Sequence, residues 1–176
     1  MEPNIRERLI ARNQRFIQNG DSDIRINTAE HGQNPYAIVI ACSDSRVIPE
    51  EIFSAGIGEL FVIRVAGNVL DNHQLGSIEY AAAHLDCKTV VLLGHTGCGA
   101  VSAAVSGHHE GFITYIVEDI LEAIGEERNP DNAARLNVRH GVSKIREEFA
   151  EHPEVSNVEV LGAIYDIRSG EVEWLN

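Results

Sequence analysis

The sequence predicts an α/β fold, a mostly parallel central sheet flanked by helices, with an N-terminal helical arm. Three observations carry this. Three short, continuous apolar runs, Ala37-Ile38-Val39-Ile40-Ala41, Leu60-Phe61-Val62-Ile63 and Thr89-Val90-Val91-Leu92-Leu93, are rich in β-branched residues and suit strands buried on both faces. Segments with helical spacing lie between and after them, and strands alternating with helices imply a parallel sheet. The length of 176 residues favours one domain with one core.

Taken in order, residues 3–19 (Pro3 to Asn19) read as a helix, with Ile5, Leu9, Ile10, Phe16 and Ile17 set among charges. Residues 1–20 are thus expected to form the arm and 33–176 the α/β core. Between the second and third apolar runs, Leu75 to Leu85 has helical spacing and several alanines. Ile113 to Ile124 is strongly amphipathic. Pro130-Asp131 opens a helix running to about Glu151, with Asp131 as its N-cap. Val158 to Ile167 reads as the final strand, closed by a turn at Ser169-Gly170. There is no internal repeat and no low-complexity linker.

Composition narrows the function. The apolar fraction of 44% is ordinary for a globular chain, and no apolar run approaches the roughly 18–20 residues that span a bilayer. The N-terminus, Met1-Glu2-Pro3-Asn4-Ile5-Arg6-Glu7, is charged and lacks the apolar stretch of a signal peptide, so a cytoplasmic protein is expected. The formal net charge of −13 argues against nucleic acid and against anionic membrane as partners, and it serves solubility. Three cysteines, an odd count without an export signal, favour metal binding or catalysis over a disulfide framework.

The chemistry concentrates in two clusters. Cys42-Ser43-Asp44-Ser45-Arg46 follows the first strand, and His95-Thr96-Gly97-Cys98-Gly99 follows the third after Gly94. Ligands in open α/β sheets bind outside the carboxyl ends of the strands, so both clusters emerge on the expected edge. Two thiolates and one imidazole form a ligand set that suits zinc, and three protein ligands leave a fourth tetrahedral position open, the mark of a catalytic site. The offset from His95 to Cys98 lets both side chains face one point from a turn or a helix start. Other readings compete. Cys42 with Arg46 suits a thiolate nucleophile beside an anion-binding arginine, but leaves His95 and Cys98 idle. The glycines from Gly94 to Gly99 suit a phosphate cradle, but without the Lys-Ser/Thr ending of a P-loop. A redox pair of Cys42 and Cys98 lacks a Cys-x-x-Cys.

The two motifs together, Cys-Ser-Asp-Ser-Arg and Gly-His-Thr-Gly-Cys-Gly-Ala, resemble those of the β-class carbonic anhydrases. The similarity runs from about Gln33 through Ala103, with a looser match around Asn137-Val138. The resemblance implies a β-carbonic anhydrase-like fold, Zn2+ held by Cys42, His95 and Cys98, and a dyad of Asp44 and Arg46 beside it. One branch of the family has a tryptophan just before the first cysteine and an allosteric bicarbonate site; here those positions hold Val39-Ile40-Ala41. The plant-like branch has a glutamine nine residues before that cysteine and a pocket phenylalanine and tyrosine, which Gln33, Phe61 and Tyr80 match. Ala66 falls where that branch has a small or β-branched apolar residue. The resemblance therefore implies substrate contacts at Gln33, Phe61, Ala66 and Tyr80 and no bicarbonate allostery. It also implies a homodimer or a larger homo-oligomer, with the N-terminal helices wrapped over the partner; the amphipathic segment from Leu9 to Ile17 suits that role, or packing on its own domain.

The implied activity is zinc-dependent reversible hydration of carbon dioxide to bicarbonate and a proton. Zinc lowers the pKa of water from 15.7 to about 7, and two thiolates should acidify it less than imidazoles would, so activity should rise towards alkaline pH. Asp44 has two possible roles: it can take the open zinc position, or pair with Arg46 and orient the attacking hydroxide by accepting its hydrogen bond. His73, His84, His108, His109 and His140 are candidates to carry away the proton, none marked by a motif, and Cys87 is expected to have no role. Carbonyl sulfide or carbon disulfide hydrolysis on the same site is one alternative. A non-catalytic zinc-binding relative is the other, and the presence of both Asp44 and Arg46 argues against it.

Overall fold

The computed structural model describes residues 4–175, so Pro3, the expected start of the first helix, lies outside the described residues. The chain forms two compact units, one ending at Gln33 and the other beginning at Asn34. In the first, α1 (Ile5–Asn19) starts at a capping box: Asn4 Oδ1 accepts from the Glu7 N–H (3.0 Å) and Glu7 Oε2 from the Asn4 N–H (3.1 Å). A second helix, α2 (Ser22–His31), follows Gly20 and is capped by Asp21. The sequence reading ended the arm before it, because its apolar residues show no helical stripe; its start is a local Asp cap, with Asp21 Oδ1 accepting from Asp23 and Ile24 N–H. No residue of either helix is buried, and Ile5, Leu9, Ile10, Phe16 and Ile17 are all exposed.

The second unit holds a five-stranded sheet in the order β2-β1-β3-β4-β5. Strands β1 (Ala37–Ala41), β2 (Leu60–Arg64), β3 (Thr89–His95) and β4 (Glu159–Tyr165) run parallel, and β5 (Val172–Leu175) pairs antiparallel with β4. The continuous apolar runs of β1 and β3 follow from burial on both faces. Ile38, Ile40, Val90 and Leu92 face the large core, while Val39, Ala41, Val91 and Leu93 face a smaller cluster with Val47 and Ala163. Each of the Val, Ile and Leu side chains among these contributes about 1.5–3 kcal/mol on burial.

Three expectations for the strands need correction. β2 is only half-buried rather than buried on both faces, because it is an edge strand with one neighbour. β3 runs on through His95, so that residue ends the strand rather than following it. The last parallel strand is shorter than Val158 to Ile167 and is not final; β5 follows the turn at Ser169-Gly170, and its half-exposed Val-Glu-Trp-Leu carries too little apolar pattern to announce itself.

Helices α3 (Pro49–Ile52), α4 (Asn72–His84), α5 (Gly99–Ser106), α6 (Ile113–Ile124) and α7 (Pro130–Ala150) complete the unit. The N-cap of α7 is Asn129, not Asp131: Asn129 Oδ1 accepts from the Asp131 and Asn132 N–H groups, and Pro130 takes the first helical position, where its missing N–H costs nothing. Helix α7 lies tight against the sheet. A Cβ on Gly141 would sit 2.4 Å from Leu92 Cδ2, and one on Gly94 would sit 2.6 Å from Val138 Cγ2. This close approach brings Asn137 of α7 to the metal-binding edge.

Candidate metal centre

Cys42 directly follows β1, His95 ends β3 and Cys98 caps α5. Parallel pairing of β1 with β3 brings their carboxyl ends side by side, and the Cys42, His95 and Cys98 ligand atoms all lie within 4.8 Å of one another. All three residues are buried. Among the described residues this is the one such group.

The imidazole is prepared for an ion. His95 Nδ1 lies 2.9 Å from its Thr96 carbonyl oxygen acceptor, which places the proton on Nδ1 and the lone pair on Nε2. Nε2 is buried and has no hydrogen-bond partner. A buried polar atom left without a partner is costly, and a cation facing Nε2 removes that cost. The donor set, two sulfurs and an imidazole nitrogen, fits zinc.

The thiols are strongly coupled. The Cys98 thiol hydrogen-bonds the Cys42 sulfur and, with the backbone amides of Asp44 and Gly67, pulls the Cys42 pKa well below the usual thiol value against the effect of burial. Cys98 is pushed up, first by that same bond and then by burial, and the amides of Val101 and Ala100 offset only part of this. Metal ions bind thiolates, so a divalent ion at this site displaces thiol protons.

Asp44 is held by Arg46 in a fork: Nε to Oδ1 at 2.9 Å, Nη2 to Oδ2 at 2.6 Å, with the Arg46 backbone N–H also on Oδ1 at 3.0 Å. The Arg46 side-chain bonds first, and its backbone N–H next, hold the Asp44 carboxyl well below the usual carboxylate range. Arg46 Nη2 also donates to the Gly97 carbonyl (3.3 Å), tying the dyad to the turn between His95 and Cys98.

Two supports escaped sequence reasoning. Arg64 Nε donates to the Cys42 carbonyl (3.1 Å) and Nη2 to the Asp44 carbonyl (2.6 Å), so one guanidinium spans the loop that carries both residues. The Gly67 N–H donates to Cys42 Sγ (3.3 Å), and Asn137 Nδ2 donates to the Gly67 carbonyl (2.8 Å). No short motif links these positions; the signals at hand are the looser family match around Asn137-Val138 and a lone asparagine on the otherwise apolar buried face of α7.

The expected substrate residues are distributed unevenly. Phe61 of β2 and Tyr80 of α4 bring their ring centroids to 6.3 Å, with Tyr80 exposed. Ala66 begins the 3-10 turn Ala66–Asn68, beside the glycine that touches Cys42. Gln33 is exposed and closes the first unit. Of the histidines, His73, His84, His108 and His109 are exposed and His140 is half-buried. Cys87 is buried, and burial pushes its thiol up.

The carbonic anhydrase family model matches residues 37–172. This chain belongs to the β-class carbonic anhydrases. Carbonic anhydrase 2 of Mycobacterium tuberculosis is 40% identical over 122 residues, 69% of this chain and 56% of that protein. The chain therefore spans little more than half the length of that relative. A carbonic anhydrase of Pseudomonas aeruginosa is 36% identical over 171 residues, 82% of this chain and 74% of its own length. The crystal structure of the β-carbonic anhydrase CafA of Aspergillus fumigatus superposes with a TM-score of 0.79 at 27% identity, covering 97% of this chain and 90% of that one. One of two tetrameric β-carbonic anhydrases from Sordaria macrospora gives 0.78 at 26%, covering 99% and 98%. The mostly parallel sheet with flanking helices is the fold of these enzymes. No described helix is long and apolar enough to cross a membrane.

Proposed function

We propose that this protein is a zinc carbonic anhydrase that interconverts carbon dioxide and bicarbonate. The observation that carries the reading is the buried Cys42–His95–Cys98 cluster, with an unpartnered His95 Nε2 and the Asp44–Arg46 fork beside it. When bound, zinc supplies a Lewis acid that makes water nucleophilic near neutral pH.

The chain's own residues do the rest. Cys42, His95 and Cys98 hold the ion from fixed backbone positions at the sheet edge. Asp44, ionised and acceptor-only, takes a hydrogen bond from the attacking oxygen and so aims its lone pair at carbon. Arg46 keeps that carboxylate in place and occupied, so that Asp44 would be held from binding the ion itself. Phe61, Ala66 and Tyr80 would provide an apolar wall suited to a small uncharged gas, in the manner of the plant-like branch. Net hydration releases one proton, which leaves by solvent or buffer.

A homo-oligomeric assembly belongs to the same reading, supported by the tetrameric Sordaria relatives and by the exposed apolar residues of α1. So does a cytoplasmic setting: all three cysteines are free, and a reducing compartment keeps metal-binding thiols available. The test is stopped-flow carbon dioxide hydration at about pH 8.5, the alkaline side that a thiolate-rich site favours, on protein of measured zinc content. Fast, zinc-dependent turnover is expected. Full zinc without turnover would sink the reading and turn the search to carbonyl sulfide and carbon disulfide.

A further inference from the structure

We infer that Asn137 is a positioning residue for the metal centre, acting on Cys42 through the peptide units on either side of Gly67. The inference rests on the zinc reading above and adds to it a residue far from both motifs.

The chain of contacts is short and buried. Asn137 is 6% exposed, and its Nδ2 donates to the Gly67 carbonyl at 2.8 Å. Gly67 stands at φ 70°, ψ 9°, in the left-handed region, and the next residue, Asn68, also has positive φ at 46°. Two consecutive left-handed residues are unfavourable for a free chain, and asparagine is among the few side chains that tolerate the second position. Something must therefore hold the turn. The Asn68 N–H to Val65 carbonyl bond (3.0 Å) closes it from within, and Asn137 clamps it from outside. The peptide planes flanking Gly67 share its Cα, so fixing the carbonyl also fixes where the preceding N–H points. That N–H points at Cys42 Sγ, 3.3 Å away.

The contact matters because it is a backbone donor in contact with the sulfur that would bind the metal. Cys42 is buried just past a strand end, and an N–H aimed at Sγ favours one direction of the sulfur. The same N–H stabilises negative charge on sulfur and draws electron density from it. Outer-shell partners of this kind typically change metal affinity or activity by about 10–100-fold. The turn also lacks room to be rebuilt: a Cβ on Gly67 would lie 2.8 Å from Ile120 Cδ1 and 3.1 Å from Ala100 Cβ. Among the described residues, Asn137 is the one side chain besides Cys42 that hydrogen-bonds the turn's backbone.

The experiment compares full-length wild type, Asn137→Ala and Asn137→Leu, the last keeping the number of side-chain heavy atoms without the donor. Ile145→Ala, a buried change on the same helix that touches neither Gly67 nor a ligand, controls for general loosening. Zinc affinity is measured by chelator competition, and cobalt(II) is substituted to read the thiolate-to-metal charge-transfer band. Loss of the N–H bond raises the energy of the sulfur electrons, so the band moves to longer wavelength in whichever Asn137 variant folds, and zinc affinity falls about 10–100-fold. Ile145→Ala loses stability but keeps the wild-type band and affinity. A folded Asn137 variant with wild-type band and affinity would overturn the inference, as would the same shift in Ile145→Ala. Absence of a thiolate band in wild type would instead overturn the zinc reading itself, which separates the two failures.

Discussion

The two halves of the metal centre are built by different means. His95 and Cys98 lie within one strand end, one turn and one helix start; the turn is closed by Gly97 at φ 66°, and the His95 proton is fixed by the neighbouring carbonyl of Thr96. Cys42 owes its setting to residues far along the chain: Arg64 on its carbonyl, Gly67 on its sulfur, and Asn137 behind Gly67. The first half sets its two ligands on one local turn, which Arg46, Tyr165 and Ile167 then anchor from elsewhere in the chain. The second exists only once β2, the Ala66–Asn68 turn and α7 have packed. One ligand set thus combines two ligands spaced along a single turn with a cysteine whose direction depends on residues from three other parts of the chain.

The largest expected effect strikes both halves alike. Cys42→Ser and Cys98→Ser each remove a soft donor, and each should lose most of the roughly one zinc per chain that a three-ligand site binds. Metal analysis after dialysis checks this; full zinc in either variant removes that cysteine from the ligand set. Next comes Asp44→Asn, which should keep its zinc and lose at least about 100-fold in turnover, since an amide offers the attacking oxygen a poorer acceptor. Wild-type turnover would take Asp44 out of the mechanism.

The sharpest contrast uses two glycines, both at positive φ. Gly67→Ala meets Ile120 Cδ1 at 2.8 Å in the non-local half, whereas Gly97→Ala meets only Ile167 Cδ1 at an ordinary 3.5 Å in the local half. Backbone strain alone costs about 1–2 kcal/mol, and overpacking adds about 1–3 kcal/mol. Urea unfolding of the metal-free proteins should therefore rank Gly67→Ala below Gly97→Ala by more than about 1 kcal/mol. Equal losses would mean that the packing behind Cys42 yields easily.

The smallest effect concerns α6, whose Ile116 and Ile120 back that turn. The Asp119 carboxyl beside Ile120 is raised by burial first, then by Glu122, Asp71 and Glu118, against the pull of Lys144. A raised carboxyl contributes stability below its unfolded pKa of about 3.9, and this is lost as pH rises through the folded value. Asp119→Asn should thus raise Tm near neutral pH by about 1–3 °C and have no such effect near pH 3.5. A gain that persists at the acid end would mean that charge is not the cause.

Much of this was legible in the residues. The apolar runs gave β1 and β3 because strands buried on both faces carry an unbroken pattern, and Ile113–Ile124 matches its predicted helix end to end. The ligand motifs were equally plain, since two short clusters with fixed spacing concentrate all the donors. Harder to read were α2, which starts from one Asp cap without an apolar stripe, and β5, a short edge whose residues face water as much as protein.

What the sequence by itself determined is the local chemistry: which atoms can bind an ion, that they sit at the carboxyl ends of strands, and which carboxylate can pair with an arginine two positions away. Only the tertiary structure decided where Cys42 points. Its partners lie 22, 25 and, by way of Gly67, a further 70 residues away in sequence. Hydrogen bonds across such separations leave no periodicity and no spacing to detect, because they form only after burial of the intervening core has fixed the distances between them.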